Sequence, residues 1–210
     1  MTGPHDLHRT RAPLWLWGLI AVFGFAFATL VVSSLNRPDP PVFALASPEE
    51  REPPTSLAGP DTVTLDARAG ERWTRFDLAR RKLAGPMEPW DLAVKRHRLA
   101  VNGGRGLAGL GGVIRLDRPF AEVVEAPADG YEPSRVTPNG DTVNTVLDDW
   151  YGYSFFSHLL SPEPATFVLR THDGRYAKLA ILGYYCPGPD PGCLTVTYIY
   201  QGDGSTRFTP

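Results

Sequence analysis

The longest apolar stretch lies near the N-terminus, where residues 14–35 carry no charged side chain. A helix of 22 residues rises about 33 Å, which is enough to cross the hydrocarbon core of a bilayer. Arg9 and Arg11 precede the stretch, and Trp15 and Trp17 stand at its start, as basic and aromatic residues do at membrane interfaces. The pattern predicts a transmembrane signal anchor at 14–35, with residues 1–13 as a cytoplasmic tail.

A cleavable signal peptide is the alternative for the same stretch. Its apolar region usually spans only about 7–15 residues, and the Ala44-Leu45-Ala46 cleavage-like signal lies nine residues beyond Leu35. Residues 36–61 contain seven prolines, which lack the backbone donors that regular structure needs. We therefore predict an extended, Pro-rich linker there, followed by one folded domain over residues 62–210.

Beyond the linker, apolar residues recur with the period of two that is typical of half-buried strands. Residues 90–101 resemble one strand, but its apolar residues lie at even positions in the first half and at odd positions in the second. This change predicts a bulge or sharp bend near Lys95-Arg96. Residues 71–83 fit a strand and a short helix equally well. The further predicted strands are 62–66, 165–171, 176–185 and 194–201, the middle two forming a hairpin around His172-Asp173-Gly174-Arg175.

Composition supports a β-rich domain with long loops. The chain has 21 glycines and 21 prolines among 210 residues, which argues against a long helical bundle. Residues 115–144 contain four spaced prolines and read as a long loop. The predicted fold class is all-β, predominantly antiparallel sheet with long loops, preceded by one N-terminal transmembrane helix.

The net charge argues against nucleic-acid binding, and the two cysteines predict a disulfide. The 21 basic and 23 acidic residues leave a net charge of −2, so the chain lacks the basic excess of a general nucleic-acid binder. Its two cysteines, Cys186 and Cys193, enclose the short loop Pro-Gly-Pro-Asp-Pro-Gly. We predict that they form a structural disulfide in a compartment outside the cytoplasm, worth roughly 2–3 kcal/mol on a chain-entropy model.

Motifs for catalysis are sparse. Gly104, Gly106 and Gly109 match the dinucleotide-binding pattern Gly-x-Gly-x-x-Gly, but Gly111-Gly112 disfavours the helix that must follow. A flexible or bulged loop is the preferred interpretation. Adjacent carboxylates such as Asp148-Asp149 would point to opposite faces of a strand, which is poor geometry for acid–base catalysis. We therefore predict that the protein is not an enzyme.

Candidate ligand-binding residues are few. His158 lies in the aromatic segment 148–160 and is the best candidate metal ligand, because an imidazole among aromatic rings suits a flat cofactor such as haem. His172 is interpreted as a turn residue and His97 as a solvated or packed strand residue. If another small molecule is the ligand, Asp148, Trp150, Tyr151 and Tyr153 mark the place to look.

Three segments resemble the HmuY-like haem-binding proteins. They are Trp90-Asp91-Leu92-Ala93 with Asn102-Gly103-Gly104, Phe167-Val168-Leu169-Arg170-Thr171 through Gly183-Tyr184-Tyr185, and Thr197-Tyr198-Ile199-Tyr200-Gln201 with Phe208. The resemblance extends over essentially the whole of residues 62–209. It implies an all-β domain that holds haem between loops and captures it for an uptake system, without transforming it.

Two features depart from that family pattern. The chain has no lipid-accepting cysteine near its N-terminus, and residues 102–170 offer His158 but no second His or Met. The resemblance implies a pair of His or Met iron ligands, so the partner of His158 stays open. The remaining haem-binding candidates are Met87, His97, Tyr131, Tyr151 and Tyr153.

The sequence thus predicts a single-pass protein of the bacterial cell envelope whose domain faces the periplasm or the exterior. Its predicted partners are haem, the membrane and a haem-uptake transporter. The alternative is a cofactor-free β-domain that serves as an envelope structural or protein-interaction module.

Overall fold

The computed structural model describes residues 13–36 and 38–209. Of the predicted cytoplasmic tail, residues 1–12 lie outside the described residues. The chain divides into two compact units. The smaller contains the helix α1, Leu14–Leu35, together with Phe155–His158, and the larger comprises Asp39–Ser154 and Leu159–Pro210.

Helix α1 forms over the predicted residues. It starts after Pro13 and ends where the N–H of Asn36 donates to the carbonyl of Val32 (3.0 Å). None of its residues is buried, although nearly all are apolar. An apolar helix that buries nothing is typical of a membrane segment, and its length and composition are sufficient to cross one.

The described part of the larger unit is built from thirteen strands and one short helix. The strands, in chain order, are β1 Leu57–Asp66, β2 Thr74–Asp77, β3 Lys82–Ala84, β4 Leu92–Lys95, β5 Arg98–Val101, β6 Gly112–Leu116, β7 Arg135–Val136, β8 Thr142–Val143, β9 Tyr151–Tyr153, β10 Leu160–Pro162, β11 Thr166–Arg170, β12 Tyr176–Tyr185 and β13 Pro191–Gln201. The short helix α2 is Thr145–Asp148, and Phe120–Glu122 forms a 3-10 turn.

The strands form two main antiparallel sheets. The larger sheet has the order β1-β13-β12-β11-β6, and the smaller has the order β3-β2-β4-β5. The pairs β7-β8 and β9-β10 are separate hairpins. The predicted all-β, antiparallel fold class is confirmed.

The C-terminal strand predictions are confirmed. Strands β11 and β12 pair antiparallel, with Arg170 opposite Tyr176, around the turn at residues 172–175. Strand β13 pairs with β12 and with β1, as expected for a third antiparallel strand. The disulfide Cys186–Cys193 closes the loop between β12 and β13, as predicted.

The segment 90–101 differs from its prediction as one bent strand. It forms two strands, β4 and β5, which pair as a tight hairpin with Lys95 opposite Arg98. Arg96 adopts a left-handed backbone conformation (φ 53°), which reverses the chain and explains the change of apolar parity. The ambiguous segment 71–83 also forms two strands, β2 and part of β3, around the left-handed Arg81 (φ 55°).

The Pro-rich segment, predicted as a linker over residues 36–61, is partly packed on the domain. Strand β1 begins at Leu57, and Val42 forms an isolated parallel bridge with Tyr185. Arg51 is held by its backbone, whose N–H donates to the carbonyl of Arg80 (2.9 Å), and by an ion pair with Asp61 (2.7 Å). Prolines have no backbone N–H, but the residues between them can still form isolated hydrogen bonds. The segment therefore packs on the domain without joining a sheet through a regular series of backbone hydrogen bonds.

The core of the larger unit lies between the two main sheets and under the β9–β10 hairpin. Its largest fully buried side chains include Trp150, Tyr198, Tyr200, Phe76 and Phe167. The Trp150 ring nitrogen Nε1 donates to the carbonyl of His97 (2.7 Å), which joins the aromatic segment to the β4–β5 turn. The bond holds the β4–β5 turn, whereas Trp90 and Asn102 lie at the other end of these two strands.

Candidate functional site

A cleft of about 500 Å³ opens at the end of the β11–β12 hairpin. One wall is the segment from Pro86 to Trp90, and another is the glycine-rich loop around Leu107. Arg75, Asn102 and His172 complete the lining. All of these residues belong to the larger unit.

The wall that carries Met87 is a tight turn held by Glu88. The Glu88 carboxylate accepts hydrogen bonds from the N–H of Gly85 (2.7 Å) and from the ammonium group of Lys82 (2.9 Å). Both hydrogen bonds lower the pKa of Glu88, and the one from Gly85 has the larger effect. Arg75 donates to the carbonyl of Pro86 (3.0 Å). The side chain of Met87 is left 96% exposed at the rim of the cleft.

The glycine-rich wall is fixed by close backbone packing. Asn102 accepts from the N–H of Gly109 through its side chain (3.2 Å) and from the N–H of Gly111 through its carbonyl (2.8 Å). A Cβ on Gly103 would overlap the backbone of Gly111. The loop leads into strand β6, so the Gly-x-Gly-x-x-Gly match lacks the helix that a dinucleotide site requires.

His172 is fixed by the buried carboxylate of Asp91. One oxygen of Asp91 accepts from the backbone N–H of His172 (2.9 Å) and contacts its ring nitrogen Nδ1 (2.7 Å). The other oxygen accepts from the N–H of Leu78 (2.9 Å). The hydrogen bond to Asp91 raises the pKa of His172, while partial burial opposes the rise.

The cleft has the chemistry that a haem group requires. Its volume falls within the roughly 300–1,000 Å³ of small-molecule sites. An imidazole and a thioether, which both serve as haem iron ligands, are supplied by His172 and Met87. Trp90 and Leu107 add apolar surface, and the guanidinium of Arg75, which lies 5.6 Å from the Trp90 ring centroid, is suited to pair with carboxylates. The residues present therefore fit haem.

The other predicted candidates lie elsewhere. His97 and Tyr151 meet edge to face with ring centroids 5.9 Å apart, and neither they nor Tyr153 lines the cleft. Burial lowers the pKa of His97, and the neighbouring cations Arg98 and Arg96 lower it further.

Tyr131 packs against a small core cluster of the larger unit formed by Val123, Ala126, Val168 and Phe208. Its hydroxyl donates to the carbonyl of Pro127 (2.9 Å), and its ring contacts Tyr176 at 6.0 Å. Burial raises the pKa of this hydroxyl. A buried tyrosine that is hard to ionise is a poor source of the tyrosinate that binds haem iron.

His158 belongs to the smaller unit. It has a left-handed backbone (φ 55°), and its ring lies 6.1 Å from that of Phe155. Phe155 and Phe156 beside it are both exposed. Among the described residues, the one group of three potential metal ligands is Asp66 with Cys186 and Cys193. These sulfurs are joined in the disulfide, so they lack the thiolate form that binds metals.

His172 is the site residue that the sequence interpretation missed. It occupies the predicted turn, and its position between Thr171 and Asp173-Gly174 gives no sign of a second role. The decisive partner, Asp91, lies 81 positions earlier in the chain. Only the folded domain brings the two together.

Similar proteins were found by family and by structure. The sequence profile of the HmuY protein family matches residues 69–198. No curated protein matches the chain.

Several solved structures share the fold, and three of them are described here. The apo HmuY analog of Tannerella forsythia has a TM-score of 0.55 at 20% identity, covering 67% of this chain and 95% of that one. A Bacteroides vulgatus protein named as HmuY-like and heme-binding has a TM-score of 0.53 at 22% identity, covering 74% and 97%. A Bacteroides fragilis protein named as a lipoprotein has a TM-score of 0.56 at 18% identity, covering 74% and 95%.

At these identities the solved structures establish the shared fold. The family match independently covers more than half of the chain, and it includes the first two segments that carry the sequence resemblance and the start of the third. The chain therefore belongs to the HmuY family.

Proposed function

We propose that this protein binds haem in the cleft between Met87 and His172, and presents it outside the cytoplasm from a membrane anchor. The observation that carries the proposal is the lining of one cavity by an imidazole and a thioether beside apolar walls and a guanidinium. Membership of the HmuY family and the heme-binding name of one structural neighbour support it. In this proposal the protein acts as a carrier, which binds and orients haem without transforming it.

In this proposal each wall of the cleft has a separate task. His172 and Met87 supply the donor atoms that haem iron accepts, and Trp90 and Leu107 cover the apolar ring. Arg75 pairs with a propionate carboxylate. Haem bound there would supply an iron centre, and the residues that line the cleft would fix its orientation.

A haemin titration followed by absorbance tests the proposal on the full-length protein in detergent. We expect a shifted Soret band that saturates near one equivalent. Ala108 is exposed and lines the cleft, so Ala108→Trp should fill the cleft and weaken binding. Ala128 is exposed outside the cleft, and Ala128→Trp is the matched control that should bind as the wild type does.

Two outcomes would contradict different parts of the proposal. A spectrum equal to the sum of free haemin and protein would remove haem binding and leave the cofactor-free envelope module as the function. Saturable binding that Ala108→Trp leaves unchanged would keep haem binding and reject this cleft. In that case His158→Ala tests the smaller unit as the site.

Membrane anchoring by α1 is a second part of the proposal. The helix has the length and composition of a membrane segment, and the disulfide suits a compartment outside the reducing cytoplasm. Full-length protein should stay in the membrane pellet after alkaline carbonate washing. The double variant Gly24→Arg with Phe25→Arg, which places two charges in the middle of α1, should move to the supernatant. Ala46→Arg, outside the helix, should not.

The domain then faces away from the cytoplasm and hands haem to an uptake transporter. Protease added to intact spheroplasts should digest the domain if it faces the periplasm. Protection of the domain under these conditions, with digestion after lysis, would contradict this orientation.

A further inference from the structure

Outside α1, the exposed aromatic side chains of the described residues lie together in one hairpin. They are Tyr153 (56% exposed), Phe155 (66%) and Phe156 (61%). Residues 151–162 of this hairpin include no Asp, Glu, Lys or Arg, although these types make up 21% of the chain. Single exposed apolar residues need no explanation, but a cluster of them marks a surface that contacts a partner.

The hairpin that carries these rings is fixed at its base. Strands β9 and β10 pair in register, and the N–H of Ser154 donates to the carbonyl of Leu159 (2.9 Å). The N–H of Leu160 donates to the hydroxyl of Tyr185 (2.8 Å), and the side chain of Leu159 is buried. The base of the hairpin is therefore packed into the core, while its end presents aromatic rings outward.

The end of the hairpin belongs to the same compact unit as α1. This unit takes in Phe155–His158, whereas the chain up to Ser154 and from Leu159 onward belongs to the larger unit. We call Phe155–His158 the aromatic tip. Since α1 has the length and composition to cross a bilayer, a segment that shares its unit lies close to lipid.

The chemistry of the aromatic tip favours a lipid partner over a protein. The rings of Phe155 and Phe156 meet edge to face with centroids 5.9 Å apart, so they form one continuous apolar surface. Segments that lie in the membrane interface present Phe, Trp and Leu to the acyl chains. Protein interfaces commonly combine such aromatic residues with Arg, which residues 151–162 do not contain.

From these observations we infer that the aromatic tip inserts Phe155 and Phe156 into the interfacial layer of the bilayer that α1 crosses. The tip is then a second membrane contact of the chain. This inference rests on the membrane anchoring in the proposed function and does not depend on haem binding.

The test places one fluorescent label in the full-length protein, reconstituted in phosphatidylcholine vesicles. Both native cysteines are joined in the disulfide, so an introduced cysteine is the target for a bimane maleimide. The labelled variants are Phe156→Cys in the aromatic tip, Phe25→Cys in α1, and Val124→Cys, an exposed apolar position of the larger unit (50%). Lipid with a nitroxide on its acyl chain quenches a label in the bilayer, and iodide quenches a label in water.

We expect the Phe25 label to be quenched by the nitroxide lipid and protected from iodide. The Phe156 label should also be quenched by the nitroxide lipid, because interfacial side chains lie about 5–10 Å into the boundary between headgroups and acyl chains. The Val124 label, the matched control, should be quenched by iodide alone.

A charge in the aromatic tip should remove it from the lipid. Adding Phe155→Asp to the Phe156→Cys variant should lower quenching by the nitroxide lipid at least about twofold, since a carboxylate is costly among acyl chains. Ala128→Asp, at an exposed position of the larger unit, should leave that quenching unchanged.

The outcomes separate this inference from the anchoring on which it rests. If the nitroxide lipid does not quench the Phe25 label, the membrane anchoring is wrong and this inference with it. If it quenches the Phe25 label but the Phe156 label is as open to iodide as the Val124 label, anchoring stands and the aromatic tip is not a membrane contact. A Phe156 label shielded from both quenchers would mean that protein covers the tip, which also overturns the inference.

Discussion

Asp91 joins three parts of the domain that are distant in sequence, and removing its carboxylate should strongly destabilise the fold. Its oxygens accept from the N–H of Leu78, which follows β2, and from the backbone and ring of His172 in the β11–β12 turn. Its own N–H donates to the carbonyl of Phe76 (2.9 Å). Asp91 is only 2% exposed, so water cannot replace the lost acceptor.

The magnitude follows from the donors that Asp91→Ala would leave unpaired. Each buried N–H without an acceptor costs about 1–3 kcal/mol, and two of them are orphaned. Loss of the contact with the His172 ring adds to this cost, while relief from burying a carboxylate reduces it. We expect a loss of about 4 kcal/mol, which corresponds to a Tm lower by about 8–16 °C in a chain of this size.

The measurement is thermal and urea unfolding of the full-length protein, followed by tryptophan fluorescence. Asp91→Asn keeps the shape and one acceptor oxygen, so its loss should be intermediate, at about 1–3 kcal/mol. Asp117→Ala is the matched control, because the Asp117 side chain is 81% exposed in its ion pair with Arg115, and it should change the midpoint much less. A loss below about 1 kcal/mol for Asp91→Ala would refute the assignment of Asp91 as the buried acceptor.

Three further predictions concern other parts of the larger unit. Replacing both Cys186 and Cys193 by Ser opens a short loop and should cost about 2–3 kcal/mol, and a reducing agent should produce the same loss in the wild type but none in the variant. Lys178 donates to the carbonyls of Phe120 (2.7 Å) and Val123 (2.8 Å), so Lys178→Met should speed amide exchange around residues 120–126, and unchanged exchange would contradict this. Burial and the neighbouring arginines lower the pKa of His97, so the folded protein binds this proton less readily than the unfolded chain. The contribution of His97 to stability should therefore fall as the pH drops below about 6.5, while the raised pKa of His172 contributes with the opposite sign. The wild type should thus lose stability relative to His97→Gln over that pH range.

Local signals in the sequence were sufficient for several elements. Helix α1 forms over the predicted 22 residues, because an uninterrupted apolar run needs no distant partner to define it. The β11–β12 hairpin and its turn also formed as predicted, since Gly174 adopts the positive φ (87°) that the turn needs. The disulfide followed from the short spacing of the only two cysteines.

Other elements depended on backbone choices that residue type does not reveal. Arginines rarely adopt a left-handed backbone, yet Arg81 and Arg96 both do so and turn predicted single segments into hairpins. The Pro-rich segment was predicted as a spacer because its prolines lack backbone N–H donors. Arg51 and Val42 nevertheless each contact the domain through isolated backbone interactions. Such single contacts have no periodic pattern in the sequence.

The same contrast between local signals and distant contacts applies to the candidate site. The sequence by itself determined the apolar helix, the antiparallel architecture, the disulfide and the family, because each depends on local periodicity, spacing or several motifs in order. Only the tertiary structure decided that Met87 and His172 line one cleft and that Asp91 holds the His172 ring. Asp91 and His172 are 81 positions apart, and no local pattern in the sequence shows that a distant carboxylate will fix the direction of a side chain.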